Sequence, residues 1–364
     1  MRRCGGRVVT GVLVSEQMEV DADPVALYEL SLVERWGDGA PLLPPTDDRV
    51  LDLLNATAYP PDHVLGALPP QYGVATVELV AVNAAMTGCA PEAFPLVIAA
   101  LEAMLVPEWN AFGLTTTTSS VFAMLLVNGP GRDAAGIDYR AGCMGGAAGR
   151  GSMTVGRSVS LCLRNIGGQR AGETSRTVFG QPARFGLCFG EWEERSPWPS
   201  LATRRGYSVD EDVVTVHGGK GTFPLADIHN DDPRDLLLLI AKSIAFPLSN
   251  MFLSGNPGNG EVVVAMNPMW AERFGTAFPD VEGCQQYLWE HAWQPLAVWP
   301  DGNQRILHEK GRVGADDRVH LVASPAQIVP FVCGGLGSLH AVALPSFGES
   351  QMQSAVALPS GGAR

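Results

Sequence analysis

Two neighbouring segments that are apolar around almost their whole helical circumference constrain this fold more than any other feature. Residues 74–86 and 91–104 both have helical spacing, and the tight turn Thr87-Gly88-Cys89 separates them. A helix that is apolar on every side must be surrounded by protein on every side. The chain therefore has to build a core that encloses two helices. Its 364 residues, 46% of them hydrophobic, are enough for one large domain or two closely packed ones.

Short apolar runs alternate with helical patterns along the rest of the chain. This alternation predicts an α/β fold, with a mixed sheet that has helices on both faces. We expect a loose N-terminal extension over residues 1–17, an α/β region over 18–200, and a second α/β region over 201–364 packed on the first. The predicted strands are 121–127, 185–189, 213–216, 261–266, 319–322, 328–332 and 340–344, and further helices are predicted at 24–36, 47–54, 152–165, 233–245, 269–274 and 281–292.

The acidic balance of the chain limits its partners. The sequence has 25 Lys and Arg against 38 Asp and Glu, and no basic stripe, so we expect no nucleic acid partner. No apolar run reaches the roughly 18 residues of a membrane span, and no signal peptide is recognisable, so we expect a cytoplasmic protein outside the membrane. Seven dispersed cysteines without a Cys-x-x-Cys pair indicate free thiols. Homo-oligomerisation is left open.

A glycine-rich loop, Gly142–Gly151, leads into the helix predicted from Ser152. Glycines let the backbone approach a ligand, and a helix N-terminus offers unpaired N–H groups to an anion. Arg150 and Arg157 lie at this terminus and would clamp a carboxylate or phosphate. The loop therefore predicts a site for a small anionic metabolite. The alternative is a flexible loop with two solvated arginines.

Two other glycine clusters fail the tests for nucleotide binding. Residues 218–222 lack the glycine and the Ser or Thr of a phosphate loop, and residues 334–337 lack the spacing of a dinucleotide fingerprint. We therefore expect no nucleotide cofactor. A backbone nest for a small group remains open at Gly335.

Cys89 and Cys333 both occupy turns beside glycines. Cys89 lies close to the start of the helix at Pro91, and the field of that helix would favour a reactive thiolate. His340 follows Cys333 by seven residues, which leaves a Cys–His pair across a turn open. The alternative for each thiol is a buried packing residue.

An acidic cluster follows the strand predicted at 185–189. Glu191, Glu193 and Glu194 lie beside Trp192 and Trp198, and apolar surroundings would raise a carboxyl pKa into the range of a general acid. The alternative is a solvated acidic turn. The histidines show no paired spacing, so no metal site is predicted from sequence motifs.

Six segments of the chain resemble a bacterial family that accompanies small subunits carrying a selenocysteine- or cysteine-Gly-Ser-Cys motif. They are residues 34–50, 75–104, 126–130, 155–168, 180–198 and 334–348. The resemblance implies a redox-active or thiol-using partner subunit. It nominates as site residues Asn83, Cys89, Asn128, Arg157, Glu193, Glu194, Ser196 and His340.

The chain departs from the family pattern in two places. Asn267-Pro268-Met269-Trp270 stands where the family has Pro-Glu-His-Ala, and Gly145-Gly146-Ala147 stands near the family's Gly-Pro-Gly. The missing histidine removes a base or metal ligand at that strand end. These departures indicate a specialised branch, for instance in secondary metabolism.

Three functional hypotheses follow. The first is a cofactor-independent, lyase- or transferase-like enzyme for a small carboxylated metabolite. In it Cys89 is the nucleophile or redox thiol, Glu193 or Glu194 the acid/base group, and Asn128 and Ser196 hydrogen-bond the substrate. The second is a substrate-binding subunit of a thiol-dependent oxidoreductase complex. The third is a metalloenzyme whose His and carboxylate ligands are dispersed in sequence.

Overall fold

The computed structural model describes residues 13–145, 149–249, 251–254, 256 and 258–361. Its helices are α1 (Pro24–Val33), α2 (Asp47–Leu54), α3 (Val77–Thr87), α4 (Phe94–Leu105), α5 (Ala111–Thr116), α6 (Arg150–Asn165), α7 (Leu201–Arg204), α8 (Pro233–Ile244), α9 (Pro268–Ala277), α10 (Val281–His291) and α11 (Asp301–Glu309). Its strands are β1 (Val64–Leu68), β2 (Gly73–Thr76), β3 (Phe122–Asn128), β4 (Leu187–Gly190), β5 (Val213–Gly219), β6 (Phe223–Ala226), β7 (Val262–Met266), β8 (Trp293–Pro295), β9 (Arg318–His320), β10 (Ile328–Val332), β11 (His340–Pro345) and β12 (Gln353–Val356).

Two four-stranded mixed sheets form the centre of the molecule. The first sheet has the order β12-β5-β3-β4, and the second has the order β10-β7-β11-β6. Each sheet contains one parallel pair, β3 with β4 and β7 with β10, and its other neighbours are antiparallel. The two sheets therefore share one pattern of strand directions. Two short two-stranded antiparallel sheets, the hairpin β1-β2 and the pair β8-β9, lie outside them.

The two sheets pack face to face, and helices cover their outer faces. Met124 and Leu126 of β3 point into the layer between the sheets, where the Phe189 ring lies 6.1 Å from that of Phe331. The alternate residues of β3 point to the other side, since successive side chains of a strand face opposite ways. There they meet α3, α4 and α6, while α8, α9 and α10 cover the second sheet. The result is a four-layer α-β-β-α arrangement.

The two apolar helices predicted at the outset are α3 and α4, and both are buried under the first sheet. Helix α3 starts three residues later than predicted because residues 73–76 pair with β1. Thr76 then caps the helix, accepting a 3.2 Å hydrogen bond from the N–H of Leu79. Gly88 ends the helix with a φ of 78°, a left-handed backbone that glycine adopts without strain.

The prediction of an α/β fold with mixed sheets is confirmed. The boundary predicted at residue 200 does not separate the two sheets, because β5 and β12 follow it and still pair within the first sheet. Residues 13–17 are not a loose extension. Leu13 is buried, and the N–H groups of Val14 and Ser15 bond the Glu78 carboxylate at 3.0 and 2.7 Å. The rest of that segment lies outside the described residues.

Among the described helices, no single one is long and apolar enough to cross a membrane. The helical segments Pro91–Leu105 and Pro107–Thr116 reach the length and apolar composition of a membrane span only when they are taken together, and an 80° bend separates them.

The carboxyl ends of β3, β4, β7 and β10 meet at one edge of the double sheet. The Asn128 amide that ends β3 bonds Glu191 directly after β4, and the N–H of Trp192 reaches the carbonyl of Val332, which ends β10. In α/β proteins this edge is where ligands bind.

Candidate functional site

A small cavity, open to solvent, lies beside the first turns of α6. Its enclosed part has room for about one water molecule. The loop that precedes α6 forms one wall, and the start of β4 forms another. The lining residues are Asp138, Cys143, Gly145, Gly149, Ser152, Met153, Gly186, Leu187 and Cys188. Part of the predicted glycine-rich loop, residues 146–148, lies outside the described residues.

Cys143 in the cavity wall and Cys333, which follows β10, belong to the same apolar layer between the sheets. The neighbouring Cys333 thiol holds the pKa of the Cys143 thiol below its usual range despite burial. The neighbouring Cys143 thiol and burial raise the pKa of Cys333 well above its usual range. Of the two thiols, Cys143 therefore loses its proton at the lower pH.

Two loops bring these cysteines together. Gly334 donates its N–H to the carbonyl of Tyr139 at 2.8 Å, and a Cβ on Gly335 would lie only 3.1 Å from that of Ala141. The Asn267 amide, directly after β7, holds the second loop by bonding the carbonyls of residues 335, 337 and 338 at 2.7–3.2 Å. Gly335 is thus a packing position between the loops, and its carbonyl is already engaged.

Asp138 lies beside the start of α6. A Cβ on Gly149, the N-cap of that helix, would lie 2.4 Å from a carboxylate oxygen of Asp138, and the N–H of Asp138 bonds the Ser152 hydroxyl at 2.8 Å. Burial raises the pKa of the Asp138 carboxyl. A carboxylate of the chain therefore lies at the α6 N-terminus, where the sequence predicts an anion site.

Arg157 does not serve the cavity. Its guanidinium forms a two-point pair with Asp38 at 2.8 and 2.9 Å, and it also bonds the carbonyls of Ala40 and Pro41. The side chain is largely buried and packs over the Phe185 ring. The prediction that Arg157 clamps a substrate anion is therefore wrong, because a carboxylate of the chain holds that place.

Cys89 and Arg150 meet near the start of α6. Arg150 donates two hydrogen bonds, at 3.0 and 2.7 Å, to the carbonyl of Gly88. Cys89 is 6% exposed, and burial raises its thiol pKa to about 12 even though Thr154 and Ser158 bond the sulfur. The predicted thiolate at Cys89 is therefore wrong, since loss of solvation outweighs the helix field. Through its hydrogen bonds to Gly88, Arg150 holds the turn that contains Cys89.

The predicted acidic cluster and its amide partner are structural. Glu193 accepts hydrogen bonds from the amide of Asn128 and the N–H of Gly129, and Glu194 pairs with Arg132 at 2.6 Å while most of it stays exposed. Ser196 exchanges hydrogen bonds with the backbone of Trp198 within one turn. These contacts engage Asn128, Glu193, Glu194 and Ser196 with the chain itself, so they correct the assignment of these side chains to substrate.

Glu191 is the fully buried member of that cluster. It is fully buried, and burial raises its carboxyl pKa although Arg204 is near. One carboxylate oxygen bonds the Asn128 amide and the Leu201 N–H, both at 2.8 Å, and the other has no partner within the described part of the chain. Its side chain does not line the cavity, although its charge acts on Cys333.

The remaining predicted residues lie away from the cavity. Asn83 on α3 accepts a 2.8 Å hydrogen bond from Asn165, at the far end of α6. That end is about 20 Å from the first turn, given the rise of a helix. His340 is exposed at the start of β11, whereas Cys333 is buried in the layer between the sheets. The Cys333–His340 pair is therefore not formed.

Sequence reasoning missed Cys143, Asp138 and Arg140. Cys143 does lie inside the predicted loop, between glycines and ahead of a helix, and that signal could have singled it out. Arg140 is exposed, and its guanidinium lies 5.0 Å from the Tyr139 ring and 5.5 Å from the Trp192 ring. Among the described residues no carboxylate pairs with it.

Comparison with known proteins does not identify this site. No model of a protein family matches the chain, and neither does a curated protein. Across the described ranges, no group of three or more His, Cys, Asp or Glu side chains is arranged to hold a metal ion. The chemistry of the site must therefore be argued from its own residues.

Proposed function

We propose that the protein is an enzyme that acts on a small anionic metabolite through the thiol of Cys143. One observation carries the proposal. Cys143 lines the cavity, and the neighbouring Cys333 thiol holds the pKa of the Cys143 thiol below its usual range. A thiolate is the nucleophilic form of cysteine, and a lowered pKa favours it. In this proposal Cys143 takes the role that was predicted for Cys89.

Asp138 would exchange the proton in this reaction. Its carboxyl lies in the same cavity wall, and its raised pKa brings it closer to neutral pH, where acid/base groups work best. A carboxyl that is protonated for part of the time can donate to a leaving group. The same carboxylate can afterwards take the proton back. This replaces the acid/base role predicted for Glu193 or Glu194.

Arg140 would recognise the anionic group of the substrate. It lies three residues before Cys143 on one loop, and the Cys143 N–H bonds its carbonyl at 3.2 Å. Its guanidinium donates one hydrogen bond, of 2.9 Å, to the Tyr139 hydroxyl. A guanidinium has five donors and matches a carboxylate or phosphate, so Arg140 retains capacity for an anion.

The reaction class that fits these groups is bond making or breaking at an electrophilic carbon or sulfur, with a transient covalent adduct on Cys143. Such chemistry balances with a thiolate and one proton donor. A reducing cytoplasm would keep the free thiols in their active form, and this location is part of the proposal.

The proposal is tested with two alkylating reagents of nearly equal size, iodoacetate and iodoacetamide. Peptide mapping gives the rate at Cys143 for each, and the ratio is compared with that of free glutathione. We expect Cys143 to react at least tenfold faster than Cys89, since the thiol of Cys89 has a pKa of about 12. We expect its ratio to favour the anionic reagent, and Arg140→Gln to remove that preference.

Two results decide against this function. If Cys143 reacts no faster than Cys89, it is not the nucleophile. If the reagent ratio equals that of glutathione and does not change in Arg140→Gln, the anion-binding role of Arg140 is wrong. Cys284→Ser is the matched control, because Cys284 is buried on α10 and away from the cavity.

A further inference from the structure

We infer that Arg35, Arg164 and Arg170 form an anion site for a phosphate group at the far end of α6, apart from the candidate site. This site is a second function of the molecule, and it does not rest on the reactivity of Cys143. The C-terminal end of α6 is about 20 Å from the first turn, which borders the cavity. Failure of one proposal therefore leaves the other standing.

Two hydrogen bonds bring the segments that carry these arginines together. The amide of Asn165, the residue after Arg164, donates to the carbonyl of Trp36 at 3.1 Å. The guanidinium of Arg170 donates to the carbonyl of Arg35, directly before Trp36, at 3.0 Å. The last turn of α6 and the turn that follows it therefore border the same short stretch of backbone after α1.

An ion pair holds the third guanidinium at the same turn. Arg35 pairs with the carboxylate of Glu173, whose N–H donates to the carbonyl of Arg170 at 3.2 Å. Burial and the positive charges of Arg170 and Arg35 lower the pKa of the Arg164 guanidinium, against the effect of two nearby carboxylates. The fold thus keeps three positive charges near one another.

Arg164 is the member of the cluster that has no partner. Its guanidinium forms no hydrogen bond or ion pair with any residue that the structure describes. Protein encloses its Nε, whereas the two terminal nitrogens are not enclosed. A charged donor that is shielded from water and finds no acceptor is costly, and native structures normally satisfy it. An anion that approaches the open terminal nitrogens would supply the missing acceptors.

The local charge balance favours a dianion. The nearby carboxylates are already paired, Asp38 with Arg157 and Glu173 with Arg35. The two other arginines of the cluster form no ion pair within the described ranges, so two positive charges remain. This surplus contrasts with the net charge of −13 of the whole chain. A phosphate group carries close to two negative charges at neutral pH and matches the surplus.

The hydrogen-bonding capacity of the cluster also suits phosphate. A guanidinium has five donors in a planar fork that matches phosphate oxygens. Arg170 uses one donor on the carbonyl of Arg35, and the terminal nitrogens of Arg164 are unused. The cluster therefore has donors for several oxygens of one phosphate group. A soluble phosphate ester and a phospholipid headgroup share this chemistry, and the experiment separates the two sources.

The test measures binding of inorganic phosphate to the full chain by calorimetry at neutral pH and constant ionic strength. We expect the wild type to bind, and Arg164→Gln and Arg170→Gln to weaken binding roughly tenfold or more, because each removes hydrogen bonds between charged groups. Arg305→Gln removes the same charge from an exposed position on α11 and should bind as the wild type does. Arg164→Met, which keeps an apolar stem, replaces the glutamine variant if circular dichroism shows that the latter is unfolded.

Sedimentation with phosphatidylcholine vesicles, with and without phosphatidic acid, distinguishes the source of the phosphate. Free phosphate that binds through Arg164, without retention on either vesicle, assigns a soluble phosphate ester. Retention on the phosphatidic acid vesicles alone, abolished in Arg164→Gln, assigns a lipid headgroup.

Three results overturn the site. A wild type that binds neither free phosphate nor phosphatidic acid has no such site. Equal binding by the wild type and Arg164→Gln shows that Arg164 only complements the carbonyl end of α6. Equal weakening in Arg305→Gln shows that phosphate responds to the net charge of the chain alone.

Discussion

The environment of each cysteine decides its chemistry in this chain. Cys89 and Cys143 both lie beside glycines ahead of a helix, so their sequence contexts are alike. Burial raises the pKa of Cys89 to about 12, while the neighbouring Cys333 thiol lowers that of Cys143. The groups around each sulfur therefore matter more here than its position relative to a helix end.

Replacing Asp138 separates its electrostatic role from its proton-transfer role. The Asp138 charge raises the pKa of Cys143, so Asp138→Asn should shift the pH profile of Cys143 alkylation to lower pH. The asparagine carbonyl keeps an acceptor for the Gly149 N–H, which preserves the cap of α6. Rates with iodoacetamide between pH 5 and pH 10 measure the shift. A profile that stays in place would show that the carboxylate does not act on the thiol.

The sequence could locate part of this site but not the residue that carries its chemistry. The glycine-rich loop ahead of α6 was predicted, and Cys143 lies in it. The proximity of Cys143 to Cys333 could not be predicted, because it depends on two loops that only the packing of β4 against β10 brings together. Arg157 was predicted to bind a ligand, but its partner is Asp38, which no sequence motif marks.

Among the secondary-structure elements, the Arg157–Asp38 ion pair connects α6 to the segment between α1 and α2. Both side chains are largely buried, at 11% and 15% exposure. Removing one partner of a buried pair leaves the other charge uncompensated, which costs about 3 kcal/mol. Arg157→Ala should therefore lower the free energy of unfolding by about that amount in urea titrations.

The matched control is Arg150→Ala, on the same helix but exposed, for which we expect a loss of about 1 kcal/mol or less. The double variant with Asp38→Ala should lose less than the sum of the two single variants, because they break one interaction. Additive losses would contradict the pair. Alkylation of Cys143 should be unchanged in Arg157→Ala.

Strands that are mostly exposed or half-buried are the ones that pattern reasoning missed. The apolar strands β3, β7, β10 and β11 were predicted, since their burial on both faces gives continuous apolar runs. Strands β6 and β12 are short and mostly exposed or half-buried, and they form the outer edges of the two sheets. Their residues carry no periodic signal, because pairing alone holds them in place.

For the whole molecule, Glu261 at the start of β7 makes stability depend on pH. Burial raises its carboxyl pKa from 4.5 to about 7, so the folded state holds a proton that the unfolded state releases. Its stabilising effect is complete below pH 4.5 and is lost as pH rises through 7, by about 3 kcal/mol. A glutamine at this position cannot titrate, so the free energy of unfolding of Glu261→Gln should rise relative to that of the wild type by about 3 kcal/mol between pH 4.5 and pH 8. Urea titrations measure this difference.

His217 has the opposite effect. It is fully buried between the sheets, and burial lowers its pKa from 6.5 to about 4. Stability from the neutral ring is present above pH 6.5 and is lost as pH falls towards 4. Glu261→Gln should therefore leave a steeper loss of stability on acidification than the wild type has. Glu309→Gln, exposed on α11, is the control and should follow the wild type. Equal slopes for all three proteins would contradict the assignment of Glu261, and a Glu261→Gln variant that loses no stability between pH 6.5 and 4 would contradict that of His217.

Strand β12, at the end of the chain, completes the first sheet by pairing with β5, and just beyond it Pro359 bridges to Thr57. During synthesis the ribosome delivers β5 long before β12. Translation of the intervening stretch takes on the order of ten seconds, at the usual rate of 5–20 residues per second. Throughout that time β5 presents an open edge, the kind of surface on which nascent chains associate. The first sheet is therefore completed only after the second sheet has been synthesised, when β12 covers the open edge of β5.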